Sequence, residues 1–466
     1  MFIRSKKSLV VLLAVLYVLS SILLAGCGKK EEGSKPDTAD KTEQTADSQK
    51  TSDSAKTINI SFSGWGGPEE QAVFTELINR FMQRNTNIKV EYINTPSDQF
   101  MTKLQTALAA GQAPDSFYIP PDYVMRWACT GNILNLQPYL KNSDFFDENN
   151  VWPRLLNRYR FDGKQMGKGD LYALPKDVGP LALAYNKDLF KEAGVTPPAP
   201  GEAWTFEEFL ENAKKLTKGS GENKQFGVAD FNIESAIWSH GGDFLDETGT
   251  KILVDTPEFI AGLQFYVDLS LKHGVAPTLS EMQSLGSVQR WLNGKVAMIG
   301  MGPWHQAQFW TAPFEWDLMR WPVKNPGDPS AVWYGSMGFA VSPNTEYKQE
   351  SFDLIAFLAF DRESQKANYE MGQAVPNLID MAKSEFLNYD KYPKNKQEFI
   401  DIIEKYGRPA PAELTYENDW ITEFWTTWDM ARSGEMTVEE YCKYIQPKMQ
   451  ELLDKSIKNM QEAIKK

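Results

Sequence analysis

Hydrophobic and polar positions alternate with two different periods in the chain beyond residue 56. Residues 57–62 and 87–92 alternate polar with apolar side chains, as strands with one buried face do. Residues 69–84 and 99–110 repeat apolar side chains at helical spacing, and a short apolar run at 116–119 predicts a buried strand. Strands that alternate with helices in this way predict a parallel α/β sheet.

Two loops of this predicted sheet are candidate ligand sites, because ligands bind beyond the carboxyl ends of parallel strands. The loop after the first strand carries Trp65 and Glu69, and the loop after the third strand carries Asp122 and Tyr123. Asp122 has an alternative role, since an aspartate in such a turn also caps the helix that follows.

The N-terminal pattern predicts export and anchoring. A basic start is followed by an apolar run over residues 8–25 and by Leu24-Ala25-Gly26-Cys27. These last four residues resemble the lipobox of bacterial lipoproteins, which implies removal of a signal peptide over 1–26 and attachment of lipid to Cys27. The alternative is an uncleaved anchor helix that ends in a cysteine. The lipobox implies a protein anchored by lipid to the cell membrane, on its extracytoplasmic face.

Residues 27–56 predict a tether. They are mostly Lys, Glu, Asp, Ser, Thr and Gln. Such a segment cannot bury enough apolar surface to offset the entropy lost on ordering, so we expect it to be disordered and to hold a folded body away from the membrane.

Composition excludes several classes of function. The net charge is −13 and no basic stripe is present to neutralise phosphates, so we expect no nucleic-acid partner. With 3 His, 3 Cys and neither HExxH nor CxxC, we expect no metal site. The sequence also has no nucleotide-binding glycine motif, so we expect no cofactor. The 14 Trp are many for one chain to bury, and they make aromatic ligand recognition a candidate function.

Short segments in a fixed order along the body carry a family resemblance. They are Gly111-Gln112-Ala113-Pro114-Asp115, Gly131-Asn132-Ile133-Leu134-Asn135-Leu136, Leu174-Pro175, Leu183-Ala184-Tyr185-Asn186-Lys187-Asp188-Leu189-Phe190, Trp204-Thr205-Phe206-Glu207-Glu208-Phe209, Gly241-Gly242-Asp243-Phe244-Leu245, Gly294-Lys295-Val296-Ala297-Met298 and Gly302-Pro303-Trp304. In order and spacing they resemble the extracellular solute-binding proteins of family 1, whose relatives include maltose-binding protein.

This resemblance implies a fold and partners. It implies a two-lobed α/β clamp of the periplasmic-binding-protein-like type II, with a hinge of crossing segments and a carbohydrate bound in the cleft. Lobe 1 would comprise 57–174 and 317–360, and lobe 2 would comprise 175–316 and 361–466. The protein would be a monomer that delivers its ligand to the membrane subunits of an ABC importer, and not an enzyme.

The resemblance also adds candidate carbohydrate-binding residues. Trp304 resembles the main stacking aromatic of the relatives, and Asp177 lies where the chain would cross between lobes. The other candidates are Trp238, Trp333, Tyr334, Trp425 and Trp428. Each has a structural alternative: Trp304 would fill a core, and Asp177 would form an ion pair at the hinge.

Two other functions fit the same composition. A secreted glycoside-degrading enzyme also needs an aromatic cleft, together with two carboxylates that flank the scissile bond. A clamp for polyamines or other small cations would use tryptophans and carboxylates through cation–π contacts. Turnover assays separate the first alternative, and a comparison of sugars with polyamines in thermal unfolding separates the second.

Overall fold

The computed structural model describes residues 57–335 and 337–465, without the side chain of Glu222. The predicted signal peptide, Cys27 and the predicted tether lie outside the described residues. None of the described helices is both long enough and apolar enough to span a bilayer.

The described strands form three sheets and one hairpin. The sheet orders are β2-β1-β3-β13-β6, β11-β8-β10-β9 and β14-β12-β7, and β4 pairs with β5. The strands are β1 (Ile58–Gly64), β2 (Ile88–Asn94), β3 (Ser116–Ile119), β4 (Arg160–Phe161), β5 (Asp170–Leu171), β6 (Leu174–Pro175), β7 (Gly179–Pro180), β8 (Ala182–Asn186), β9 (Phe226–Ala229), β10 (Val296–Met301), β11 (Trp316–Met319), β12 (Val332–Gly335), β13 (Gly338–Val341) and β14 (Gly407–Arg408).

Helices cover the sheets and build the rest of the described body. They are α1 (Pro68–Arg84), α2 (Ser97–Ala109), α3 (Val124–Cys129), α4 (Gln137–Leu140), α5 (Pro153–Asn157), α6 (Lys187–Ala193), α7 (Phe206–Leu216), α8 (Ile233–Ser239), α9 (Pro257–Leu271), α10 (Leu279–Ser284), α11 (Ser287–Leu292), α12 (Gln306–Phe309), α13 (Lys348–Phe360), α14 (Arg362–Glu370), α15 (Ile379–Met381), α16 (Gln397–Asp401), α17 (Asp419–Thr427), α18 (Asp429–Arg432) and α19 (Val438–Ile464).

The first sheet confirms the elements predicted from periodicity. β1 lies between β2 and β3 and pairs with both in parallel, whereas β13 pairs antiparallel with β3 and β6. α1 starts at Pro68, which needs no backbone N–H partner at that position. Its apolar stripe packs toward the core through Val73, Phe74, Leu77, Ile78 and Phe81.

The second sheet is mixed. β8 pairs antiparallel with β10 and β11, and β9 pairs in parallel with β10. α7 lies close against β9. The approach is so close that a β-carbon added at Gly227 would come within 2.2 Å of the carbonyl oxygen of Ala213. The pairing of β11 shows that residues 316–319 belong to this sheet, which favours a return to lobe 1 later than residue 317. The numerical lobe boundaries otherwise remain a prediction.

Two of the three strands of the third sheet, β7 and β12, lie on segments that connect the other two sheets. Along the chain, β7 lies between β6 of the first sheet and β8 of the second, and β12 lies between β11 of the second and β13 of the first. β7 and β12 pair antiparallel with each other. The chain therefore crosses twice between the main sheets through one small sheet.

Candidate functional site

A cavity of about 430 Å³ lies beside the crossing strands. Its lining residues come from both main sheets and from the crossing segments. They are Trp65, Gly67, Glu69, Glu70, Tyr118, Lys176, Asp177, Trp304, His305, Ala307, Gln308, Trp333, Met337 and Gln373. A cavity of this size is in the range of small-molecule sites.

The first sheet supplies an aromatic and acidic side of the cavity. Trp65 follows β1 and packs edge-to-face on Phe100 and Tyr118, at centroid distances of 4.7 and 5.3 Å. Glu69 and Glu70 occupy the first turn of α1, where carboxylates are favoured by the helix dipole. This side therefore combines a fixed indole with carboxylate oxygens, which accept hydrogen bonds from hydroxyl groups.

Lys176 places a cation in the cavity. Its Nζ lies 2.5 Å from Asp177 Oδ2 and 3.0 Å from Glu70 Oε1, and it lies over the rings of Phe74 and Tyr118. Burial would lower the pKa of Lys176, but the charges of Asp177 and Glu70 outweigh burial and raise it. The ammonium therefore stays protonated and neutralises part of the acidic side.

Tyr118 completes this buried network. Its side chain is fully buried, and its hydroxyl donates to Glu70 Oε1 over 3.3 Å. Burial, followed by the negative charge of Glu70, raises the pKa of Tyr118 well above its usual range. The phenol therefore remains a neutral hydrogen-bond donor at any physiological pH.

The turn after β10 of the second sheet and the crossing strand β12 supply two further aromatic residues of the cavity. Trp304 lies in the turn Pro303–His305, directly after β10 and Gly302, and 38% of its side chain is exposed. Its indole passes so close to Gly179 that a β-carbon there would lie 2.7 Å from Trp304 Cζ3. Trp333 of β12 meets Trp304 edge-to-face at a centroid distance of 6.4 Å. The two indoles form an aromatic wall.

His305 is uncharged at neutral pH. Its ring stacks on Phe309 at 5.7 Å, and burial lowers its pKa to about 4. Its Nδ1 is buried and has no hydrogen-bond partner among the described residues. Gln308 and Gln373 add amide groups to the same cavity. This part of the cavity thus offers neutral donors and acceptors and two aromatic faces, an arrangement suited to binding and not to nucleophilic chemistry.

Five of the predicted carbohydrate-binding residues line this cavity together: Trp65, Glu69, Asp177, Trp304 and Trp333. They come from segments up to 268 positions apart in sequence, which the two main sheets and the crossing strands bring to one place. The described part of the chain also contains no group of three or more His, Cys, Asp or Glu that could hold a metal ion.

Asp122 and Tyr123 lie outside this cavity. Asp122 is half-buried and accepts a hydrogen bond from Asn418 Nδ2 over 2.6 Å, and burial raises its pKa to about 6. Tyr123 packs edge-to-face on Trp127 at 5.3 Å. Both residues therefore have protein partners where the sequence predicted a ligand.

Trp238 and Tyr334 also lie outside the cavity, and both are buried. Trp238 Nε1 donates to Asp243 Oδ1 over 3.1 Å, beneath the guanidinium of Arg408. Tyr334 donates its hydroxyl to the carbonyl oxygen of Arg154. Tyr334 follows Trp333 in β12, and successive strand residues point to opposite faces, so only Trp333 reaches the cavity.

Trp425 and Trp428 lie next to each other and are not among the lining residues of the cavity. Trp428 is buried against Tyr266 and beneath Arg432. Trp425 is exposed and packs on Phe244 and Phe424. Their proposed role in ligand binding has no support from the cavity and stays a prediction.

The sequence reasoning missed several residues of the cavity. Tyr118 has the pattern of a core residue in a buried strand, and only the structure shows its hydroxyl beside Glu70. Lys176 directly precedes the predicted Asp177, so proximity in sequence was the one available signal. Gln373 follows α14 and reaches the cavity through tertiary packing alone.

Known proteins that are similar in sequence include a sugar-binding protein and a lipoprotein. The chain is 23% identical over 379 residues to the galactooligosaccharide-binding protein of Bacillus subtilis, which covers 78% of this chain and 79% of that protein. It is 25% identical over 319 residues to an uncharacterized lipoprotein of Streptomyces antibioticus, covering 65% of this chain and 66% of that one.

The structural comparison confirms the predicted fold. The ABC substrate-binding protein of Listeria monocytogenes, solved in complex with cycloalternan, superposes with a TM-score of 0.75 at 22% identity, over 86% of this chain and all of that one. The likeness confirms the two-lobed α/β architecture. The Bacillus subtilis relative and the Listeria monocytogenes protein are both named as binding proteins, which agrees with the prediction that this chain is not an enzyme.

The match at the level of the family is broad. Residues 65–365 match the description "Bacterial extracellular solute-binding protein", a span that begins at Trp65 of the cavity and extends past Trp304 and Trp333. This span contains the second sheet, the first sheet except β1, and most of the cavity lining, and the chain belongs to the bacterial extracellular solute-binding protein family.

Proposed function

We propose that this protein captures a saccharide, an oligosaccharide in particular, in the cavity between its lobes and delivers it to an ABC importer. One observation carries the proposal: Trp65, from the loop after β1, and Trp304, from the loop after β10, line the same cavity. Aromatic faces stack on the C–H faces of pyranose rings, and Glu69, Glu70 and Asp177 provide acceptors for hydroxyl groups.

The names of two similar proteins support this class of ligand. The Bacillus subtilis relative is named for galactooligosaccharides, and the structural neighbour was solved with cycloalternan. In the proposed cycle the lobes close around the saccharide about the crossing strands, exclude water and present a closed form to the importer. The cavity is large enough for more than a monosaccharide.

We further propose that the protein is a lipoprotein. The motif that ends at Cys27 supports lipid attachment at that residue, and the relative from Streptomyces antibioticus is named as a lipoprotein. Lipid at Cys27 would hold the body at the extracytoplasmic face of the cell membrane, close to the importer.

A thermal-unfolding panel of saccharides and polyamines tests the binding proposal. A ligand at a hundred times its dissociation constant stabilises the folded protein by about 2.7 kcal/mol, which gives a clear shift. We expect stabilisation by at least one oligosaccharide and not by unsubstituted polyamines. Stabilisation by polyamines alone would assign the cavity to the cation-binding alternative.

A further inference from the structure

The charges that line the cavity are unbalanced. Its lining carries the carboxylates of Glu69, Glu70 and Asp177 and one ammonium, that of Lys176, which leaves a formal excess of two negative charges. His305 does not offset it, because burial lowers its pKa to about 4 and the ring is neutral at pH 7. No arginine is among the described lining residues.

The ammonium of Lys176 is already committed. The side chain is 10% exposed, and its Nζ is shared between Asp177 and Glu70. It also lies over Phe74 and Tyr118. A ligand carboxylate would have to break these contacts to reach the cation, and it would meet the remaining carboxylates first. Like charges in a partly desolvated site are strongly unfavourable.

A ligand ammonium meets the opposite situation. Glu69 is an exposed residue of the cavity lining, and its carboxylate forms no ion pair with any described residue. The indole faces of Trp304 and Trp333 attract a cation as well as the C–H face of a sugar. Carboxylate and aromatic groups that line the same cavity therefore stabilise a sugar ring that carries a positive charge.

We propose that the cavity prefers saccharides bearing a free, protonated amino group and rejects saccharides bearing a carboxylate. The preference rests on the proposed saccharide function, because it concerns the substituent on a sugar that the aromatic wall holds. The expected order of affinity is amine over neutral over acid.

Matched oligosaccharides test this order. Oligomers of glucosamine, glucose and glucuronic acid that share length and linkage differ mainly in charge, and N-acetylglucosamine oligomers add a neutral group where the amine stands. Titration calorimetry is done at about pH 6, where an ordinary amine is protonated. The dissociation constants should differ by at least about threefold between the amine and the neutral oligomer, and again between the neutral and the acidic oligomer. The advantage of the amine should shrink as salt screens the charges.

Glu69→Gln tests whether the cavity carboxylates cause the preference. It should weaken binding of the amine oligomer about two- to fivefold more than binding of the neutral oligomer, because glutamine keeps a hydrogen-bond acceptor for hydroxyl groups but loses the charge of a partly exposed ion pair. Glu76→Gln is the matched control, because Glu76 lies on the same helix, is exposed and is not part of the cavity lining. It should leave both affinities unchanged.

The outcomes separate the two proposals. Equal or tighter binding of the neutral or acidic oligomer overturns the charge preference and leaves saccharide binding intact. The same loss with Glu69→Gln and Glu76→Gln overturns the role of the cavity carboxylates. If no oligomer of any linkage binds to a protein that unfolds cooperatively, the saccharide function itself is contradicted, and the preference with it.

Discussion

Trp304 differs from most tryptophans of the described body in how much of it faces solvent. Trp291, Trp316, Trp321 and Trp420 are fully buried, whereas 38% of Trp304 is exposed. Its indole is supported by close approach to Gly179 and Gly302, where no side chain competes for the space. An exposed aromatic on a rigid support is typical of a binding anchor.

We predict that Trp304→Ala weakens saccharide binding and leaves the fold intact. Loss of a central aromatic anchor costs about 2 kcal/mol or more of binding free energy, roughly thirtyfold in affinity. The free energy of unfolding should fall by less than about 1 kcal/mol, because the side chain is not part of the core. Calorimetry and urea denaturation measure the two quantities.

Trp321→Ala is the control for this prediction. Trp321 is fully buried and donates its indole N–H to the carbonyl oxygen of Leu181 over 2.8 Å. Its replacement should cost about 3–5 kcal/mol of stability. A Trp304 variant that loses that much stability and keeps its affinity would place Trp304 in the core and the ligand elsewhere.

Asp122 carries a prediction about pH. Burial raises its pKa to about 6, so the folded protein holds this proton more tightly than the unfolded chain, whose aspartates titrate near 4. Stability from this group therefore decreases as the pH rises from about 4 to about 6. Asp122→Asn removes the cost of the buried charge and should raise the free energy of unfolding at pH 7 by about 1–2 kcal/mol.

The pH series itself checks the cause. Below about pH 4 the carboxyl is protonated in both states, so the advantage of Asp122→Asn should disappear. Asp98→Asn, at an exposed aspartate in the first turn of α2, is the control and should show no such gain. A gain that persists at low pH would mean that ionisation of Asp122 does not cause it.

At the scale of single residues, the sequence indicated which types of side chain form the site better than it indicated which positions they occupy. Trp65 and Glu69 were predicted because they lie in the loop after the first strand, and Asp177 because it lies where the chain crosses between lobes. At such positions, the place in the chain by itself indicates what surrounds the side chain. Asp122 follows β3 just as Trp65 follows β1, but Asn418, almost three hundred positions later, occupies its hydrogen-bonding groups. A partner so distant in sequence leaves no local pattern.

Among the elements, a buried ion pair joins α5 to the turn Pro411–Leu414. Directly after α5, Arg158 donates from Nε and Nη2 to the two carboxylate oxygens of Glu413, over 2.7 and 2.6 Å. Both side chains are 4% exposed. A bidentate pair in this environment has good geometry, but each charge depends on its partner for solvation.

We predict that Glu413→Ala lowers the free energy of unfolding by about 3–5 kcal/mol, because it leaves the Arg158 guanidinium buried and unpaired. The double variant Arg158→Met, Glu413→Leu should recover most of this loss. Glu439→Ala, which removes an exposed partner of Lys443, should cost less than about 1 kcal/mol. Equal losses in the Glu413 and Glu439 variants would contradict the buried character of the pair.

Periodicity predicted β1, β2, α1 and α2 within a few residues, because their apolar side chains repeat at strand or helix spacing, and a short apolar run predicted the fully buried strand β3. Periodicity was less informative for β11. Its segment Trp-Asp-Leu-Met is short, and no turn in the sequence indicates which strand it pairs with. Only its pairing with β8 shows where it belongs. The crossing strand β7 is shorter than β11, and β12 is as short as β11. The pairing of β7 with β12 depends on contacts between residues that are distant in sequence.

For the whole molecule, the first prediction concerns the anchor. Cys27→Ala should leave a precursor that carries no lipid and keeps residues 1–26, because only the thiol accepts the lipid. Metabolic labelling with a fatty acid and the mass of the protein measure both effects. Cys129→Ala is the control and should be labelled and processed normally. Lipid label on the Cys27 variant would contradict the lipoprotein proposal.

The last prediction concerns both lobes together. A saccharide held between them should protect backbone amides on each side, in residues 64–70 after β1 of the first sheet and in residues 302–308 after β10 of the second sheet. Hydrogen exchange followed by mass spectrometry, with and without a saturating saccharide, measures this directly. The account predicts protection in both segments. Protection confined to one lobe, or centred on Asp122 and α17, would contradict it.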